Sequence, residues 1–110
     1  MAEGFALTES TYYILLSLVR ARHGYGIMQA TEEMSNGRVR LAAGTLYGAL
    51  GTLCEKGWIV QLPTEADSRR KEYRLTEKGM QILRREVDRL KELTGNGERI
   101  LGEGSIWKTE

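Results

Sequence analysis

The 110 residues leave room for one compact domain. With 41% apolar and 28% charged side chains the composition is that of a folded globular chain rather than a disordered one. The formal net charge is +1, and one cysteine (Cys54) and one histidine (His23) exclude an internal disulfide, argue against a zinc site and weaken any histidine-based nucleophile pair. No phosphate-binding loop or dinucleotide fingerprint is present, so no catalytic residue, metal site or cofactor is expected. The longest apolar run, Tyr12 to Leu16, is far short of a membrane span. Acidic Glu3 precedes it without a basic flank, so no secretory signal is expected and the cytoplasm is the default location.

Taken in chain order, Thr8 is a good N-cap, with Glu9 at the positive end of a first helix. Residues 11–20, TYYILLSLVR, are apolar nearly all round, so this helix should be covered on two sides, the second by another subunit. Its dimer-facing residues are Tyr12, Leu15 and Val19. His23-Gly24-Tyr25-Gly26 breaks it, with Gly24 suited to a left-handed C-terminal position. A second helix is expected over 25–34, stopped by Ser35-Asn36-Gly37. Arg38 to Leu41 alternates as a short strand or an extended linker. The third helix should run over 43–56, burying Leu46, Leu50, Leu53 and Cys54 and ending at Gly57. Its opposite face carries Thr45, Ala49, Thr52 and Lys56 with Gly44, Gly48 and Gly51. Residues 58–62 and 71–75 form the two strands of a hairpin, with Tyr73 and Leu75 on one face.

Thr76 caps a last helix whose apolar and small positions are Met80, Leu83, Val87, Leu90, Thr94, Gly97 and Leu101. Alternating steps of three and four make a heptad seam, which carries the helix through Gly95-Asn96-Gly97 and calls for a second copy or a partner. The tail from Gly102, with Trp107, is expected to be irregular.

Charge is unevenly spread. Residues 36–75 hold seven basic side chains against four acidic ones, and residues 1–35 hold two against four. Three helices followed by a basic hairpin is the winged helix-turn-helix order, in which the third helix enters the major groove and the hairpin reaches the backbone or minor groove. The fold class is therefore mainly α with a small β hairpin: a winged helix-turn-helix domain over 1–76, and a long C-terminal dimerisation helix with its tail over 77–110.

The segments LTESTYYILLSL, HGYGI, GTLYGALGTLCEKGWI and RRKEYRLTEKG, in this order, resemble the PadR family of bacterial transcriptional regulators, in its smaller subgroup with one C-terminal helix. The resemblance spans roughly residues 7–101. It implies a homodimer in which the last helix crosses to the other subunit near its first helix. It also implies recognition of a roughly palindromic operator in double-stranded DNA, usually as a repressor, with release in many members by a small, often aromatic, effector. Thr45 and Tyr47 match the start of the recognition helix, Arg69, Arg70 and Lys71 the basic wing, and Tyr25 the tyrosine opening the second helix. Arg38, Arg40 and Lys56 join the DNA-facing set on charge and position. The expected dimer set is Tyr12, Leu15, Val19, Met80, Leu83, Val87, Leu90 and Leu101.

Two positions depart from the family pattern. Ala42 removes the usual side-chain N-cap before the recognition helix, and Gly48 stands where proline or a larger residue is common. Each functional residue also has a plainer reading: Tyr47 as packing beside the buried stripe, Arg69 to Lys71 as a solvated turn, Cys54 and Trp58 as core, His23 as an exposed helix end. Two other classes of function stay open from the sequence: a winged-helix module that binds protein, and a small-molecule sensor without operator binding.

Overall fold

The computed structural model describes residues 6–63 and 70–103. Four helices, α1 (Glu9–Ser17), α2 (Gly24–Met34), α3 (Ala43–Glu55) and α4 (Glu77–Glu103), surround three short strands, β1 (Arg22–His23), β2 (Ile59–Leu62) and β3 (Glu72–Leu75). The sheet is antiparallel in the order β1-β3-β2, with Ile59 opposite Leu75, Leu62 opposite Glu72 and Arg22 opposite Tyr73. The fold is thus the mainly helical winged arrangement expected, with a third strand added.

Local chemistry explains most boundaries. The Thr8 hydroxyl accepts the Thr11 N–H at 3.1 Å and caps α1. Gly57, with φ +77°, turns the chain out of α3. Between α2 and α3, residues 38–41 form a linker rather than a strand. Its buried Val39 is tied down by an N–H donated to the Ser35 hydroxyl at 2.9 Å. β1 has only two residues and no alternation to announce it; it exists because β3 offers a free edge to whatever follows α1. Gly24 also departs from expectation. It lies inside the first turn of α2, and only Asn36, Gly37 and Gly57 adopt positive φ among the described residues.

The core joins Ile14, Leu15 and Leu18 of the α1 region to Ile27, to Leu46, Leu50 and Leu53 of α3, and to Trp58, Ile59, Tyr73, Leu75 and Leu83. Where α4 leaves the sheet, the Trp58 carbonyl accepts the Thr76 N–H at 3.0 Å, and the Thr76 hydroxyl donates to the Gly57 carbonyl at 2.6 Å. The same hydroxyl accepts the Gly79 N–H at 3.1 Å, which makes Thr76 the N-cap of α4 as expected. Buried position 79 takes glycine because a Cβ there would overlap the Trp58 carbonyl oxygen and stand 2.9 Å from its carbon.

One buried charge sits on α4. Glu86, 5% exposed, accepts the Leu7 N–H at 3.2 Å and two bonds from Arg89, at 2.8 and 2.7 Å. The bonds from Arg89 hold its carboxyl below the ordinary carboxylate value, burial opposes them, and the Leu7 N–H adds to them. α4 then runs on unbroken through Gly95-Asn96-Gly97, and every residue from Lys91 to Glu103 is exposed within the single chain.

Gly79→Ala forces a methyl against the Trp58 carbonyl and should cost about 3 kcal/mol or prevent folding, as measured by urea unfolding. Glu86→Ala strands Arg89 and the Leu7 N–H, at an expected cost of about 1–3 kcal/mol. Because the folded-state pKa of Glu86 is depressed, its contribution is complete above the unfolded value of about 4.3 and drains away as pH falls through the lowered folded value. Glu86→Gln should therefore flatten the acid limb of the stability–pH curve, read by urea titration from pH 6 to 3.

Candidate nucleic-acid interface

α3 divides sharply into two faces. Leu46, Leu50 and Leu53 are buried, while Gly44, Thr45, Gly48, Gly51 and Thr52 are exposed. A Cβ built on Gly44, Gly48 or Gly51 would meet nothing within 4 Å. The helix thus presents a shallow strip of backbone and small side chains that none of the described residues covers. Three glycines cost an isolated helix about 0.8–1.0 kcal/mol each, a cost the buried leucine stripe must offset.

Both helices that begin near this strip start without a side-chain cap. Ala42 before α3 has no side chain to give, and His23 before α2 makes no capping bond. Their first-turn N–H groups and positive dipole ends are therefore left to water or to an anion. The two starts are physically joined. Tyr47, half-exposed, places its phenol against Gly24, where a Cβ would overlap the phenolic oxygen and stand 2.8 Å from Cζ. Tyr25, the next residue, is 63% exposed, and its hydroxyl accepts from Gln29 Nε2 at 3.4 Å. The wing reaches the same corner through the sheet: His23 pairs with Glu72, and exposed Lys71 and Arg70 directly precede Glu72. Arg69, the remaining residue of the expected basic wing, lies outside the described residues.

The other expected cations sit apart. Arg38 Nε donates to Glu9 at 2.8 Å, and Arg40 lies 3.5 Å from the Glu32 carboxylate, so both bases of the α2–α3 linker are engaged with exposed carboxylates. Lys56 stands at the far end of α3, roughly 16 Å along the axis from Thr45 by helical rise, with its ammonium 4.7 Å from the Trp58 ring centroid. Geometry thus gathers Tyr25, Thr45, Tyr47, Arg70 and Lys71 around the starts of α2 and α3, and leaves Arg38, Arg40 and Lys56 outside that group.

Among the expected dimer residues, Leu15 (0% exposed) and Leu83 (4%) are interior to the single chain, so neither is available to a partner. Their positions in an apolar helix and a heptad seam do not distinguish a core contact from a subunit contact. Tyr12, Met80, Val87 and Leu90 are half-buried, whereas Val19 and Leu101 are exposed. Tyr12, Val87, Leu90 and Thr94 line an open groove of about 430 Å³ between α1 and α4. Cys54 is half-buried and burial pushes its thiol upward, the behaviour of a packing residue rather than a reactive one. Trp107 lies outside the described residues. Among the described residues, no helix is long and apolar enough to cross a membrane.

Sequence reasoning missed two residues that organise this region. Gly24 stands in HGYGI, where the pattern points to a helix stop, and no sequence signal sets Glu86 apart from the other charges of the last helix.

Comparison with known proteins gives a consistent picture. The family model described as the transcriptional regulator PadR-like family matches residues 13–85. An uncharacterized 37.1 kDa protein in a Streptomyces fradiae transposon is 38% identical over 73 residues; the match covers 66% of this chain and 20% of that protein. The structure of H. salinarum RosR is 32% identical with a TM-score of 0.62, covering 82% of this chain and 76% of that one. Bacillus subtilis PadR, solved in complex with operator DNA, is 27% identical with a TM-score of 0.55, covering 67% and 44% respectively.

The uncovered strip on α3 yields a direct test. Gly48→Ala should raise stability by about 0.5–1 kcal/mol in urea unfolding, since the methyl meets nothing and the helix gains propensity. A loss of stability would show that the strip is packed.

Proposed function

The chain belongs to the PadR-like family of transcriptional regulators, and from that membership and the geometry above we propose that it is a homodimeric, operator-binding repressor. The uncovered strip of α3 carries this reading. Small side chains let the helix approach base edges closely, and Thr45 and Tyr47 at its start are placed to reach phosphates or bases. The uncapped starts of α2 and α3 supply backbone donors to the phosphates, and Arg70 and Lys71 on the wing side of β3 supply charge. Arg38, Arg40 and Lys56 would at most reach flanking backbone, and the first two would have to give up their carboxylates.

Residues 1–76 would read DNA, and residues 77–110 would bring two copies together. Support for the second role is the row of exposed apolar side chains on the far part of α4, namely Leu93, Ile100 and Leu101. An isolated helix with this composition gains little by standing alone in water. Two wings held by one dimer would face half-sites separated by about one helical turn of DNA, so the operator should be two-fold symmetric. The site of action is the cytoplasm, where the DNA is.

Selection of purified protein against a randomised duplex library should enrich a two-fold symmetric sequence. On that sequence, replacing Arg70 and Lys71 together by alanine should weaken binding and reduce the salt slope by about one to two. Unchanged affinity at every salt concentration would remove the wing from the interface. Leu90→Glu should convert a dimer to a monomer in sedimentation equilibrium, and a dimer that persists would place the subunit contact elsewhere.

A further inference from the structure

Gly24 occupies the first turn of α2 with no positive φ, so its backbone does not require glycine. Alanine would suit the helix better. What glycine provides is room: a Cβ at this position would overlap the Tyr47 phenolic oxygen and stand 2.8 Å from Cζ. The obstruction is specific to this residue. Two positions on, a Cβ at Gly26 would approach nothing closer than the Arg22 Cβ at 3.7 Å, an ordinary contact. It also differs in kind from Gly79, where the two nearest atoms are backbone. Tyr47 is half-exposed and its phenol is the far end of a side chain, so a methyl at position 24 should displace the phenol and spare the fold.

We infer that Gly24 is a positioning residue for DNA: its missing side chain forms the slot that holds the Tyr47 phenol against the first turn of α2. In that place the phenol of the recognition helix and the uncapped N–H groups of α2 face one and the same stretch of phosphodiester backbone. Recognition helix and supporting helix then grip the duplex as one unit. The inference rests on the operator-binding reading above, and adds to it a residue that need not touch DNA.

The test uses the full chain and the duplex enriched from the library. Gly24→Ala, Tyr47→Ala, their combination and Gly26→Ala are compared by thermal melting, by NMR of ring-labelled tyrosine and by fluorescence anisotropy across a salt series. Gly24→Ala should stay folded, shift the Tyr47 ring resonances and weaken binding about tenfold, the scale of one hydrogen bond to a charged phosphate. Tyr47→Ala should lose as much, and the double variant no more than Tyr47→Ala alone. The salt slope should stay at the wild-type value, because a neutral phenol releases no counterion. Gly26→Ala should bind as wild type.

Full affinity in Gly24→Ala with a displaced ring, or losses that add in the double variant, would overturn the inference and leave operator binding intact. Folded wild-type protein that enriches no duplex would overturn the operator reading, and this inference with it. Should Gly24→Ala fail to fold, Tyr47→Ala removes the obstruction, so the double variant must fold and bind as Tyr47→Ala does; a double variant that unfolds refutes the slot.

Discussion

The junction at Thr76 is the constraint on which the rest of the molecule depends. Within a few residues the Trp58 carbonyl closes the end of β3, the Thr76 hydroxyl binds the Gly57 carbonyl, and the same hydroxyl caps α4. Gly79 lets the helix sit directly on that carbonyl. Sheet, third helix and C-terminal helix therefore share one hydrogen-bonded knot. Gly57 is the turn that ends α3, so the orientation of the uncovered strip and the direction of α4 are set by neighbouring bonds. The backbone bond from Thr76 and the part-buried bond from the Gly79 N–H fix the start of α4 against the sheet.

A second clasp acts from the other end of the chain. Glu86 draws the Leu7 N–H onto α4 while Arg89 balances its charge, so the approach to α1 is fastened to the last helix. This brings the first and last helices side by side and opens the groove beside Tyr12. A buried carboxylate is a poor source of net stability, but it is selective about geometry, since only one seating satisfies both oxygens.

The sequence was legible where a local rule decides the outcome. Thr8 and Thr76 are caps because a hydroxyl at that offset has N–H groups to accept from. The leucine stripe at positions 46, 50 and 53 and the shared buried face of Tyr73 and Leu75 follow from periodicity. Legibility failed where the answer lies across the fold. Arg22 and His23 have no strand pattern of their own and pair only because β3 has a vacant edge. Leu15 and Leu83 fit an interface pattern and a core pattern equally well, and the core claims them. The glycines make the same point most clearly. Gly24 yields to a side chain, Gly79 to a backbone carbonyl and Gly48 to nothing at all, yet as letters in the sequence they are indistinguishable.

The length of α4 gives its first turn a mechanical meaning. Twenty-seven residues at about 1.5 Å each make a rod of roughly 40 Å, fastened to the domain along its first half by the knot, Leu83 and the Glu86 clasp. A rotation of about 5° of the winged end, carried rigidly by the rod, moves the far tip by roughly 3.5 Å. Whatever grips the tip thus reads, and can impose, angular changes at the winged end too small to disturb its core. The rod converts rotation at one end into register at the other.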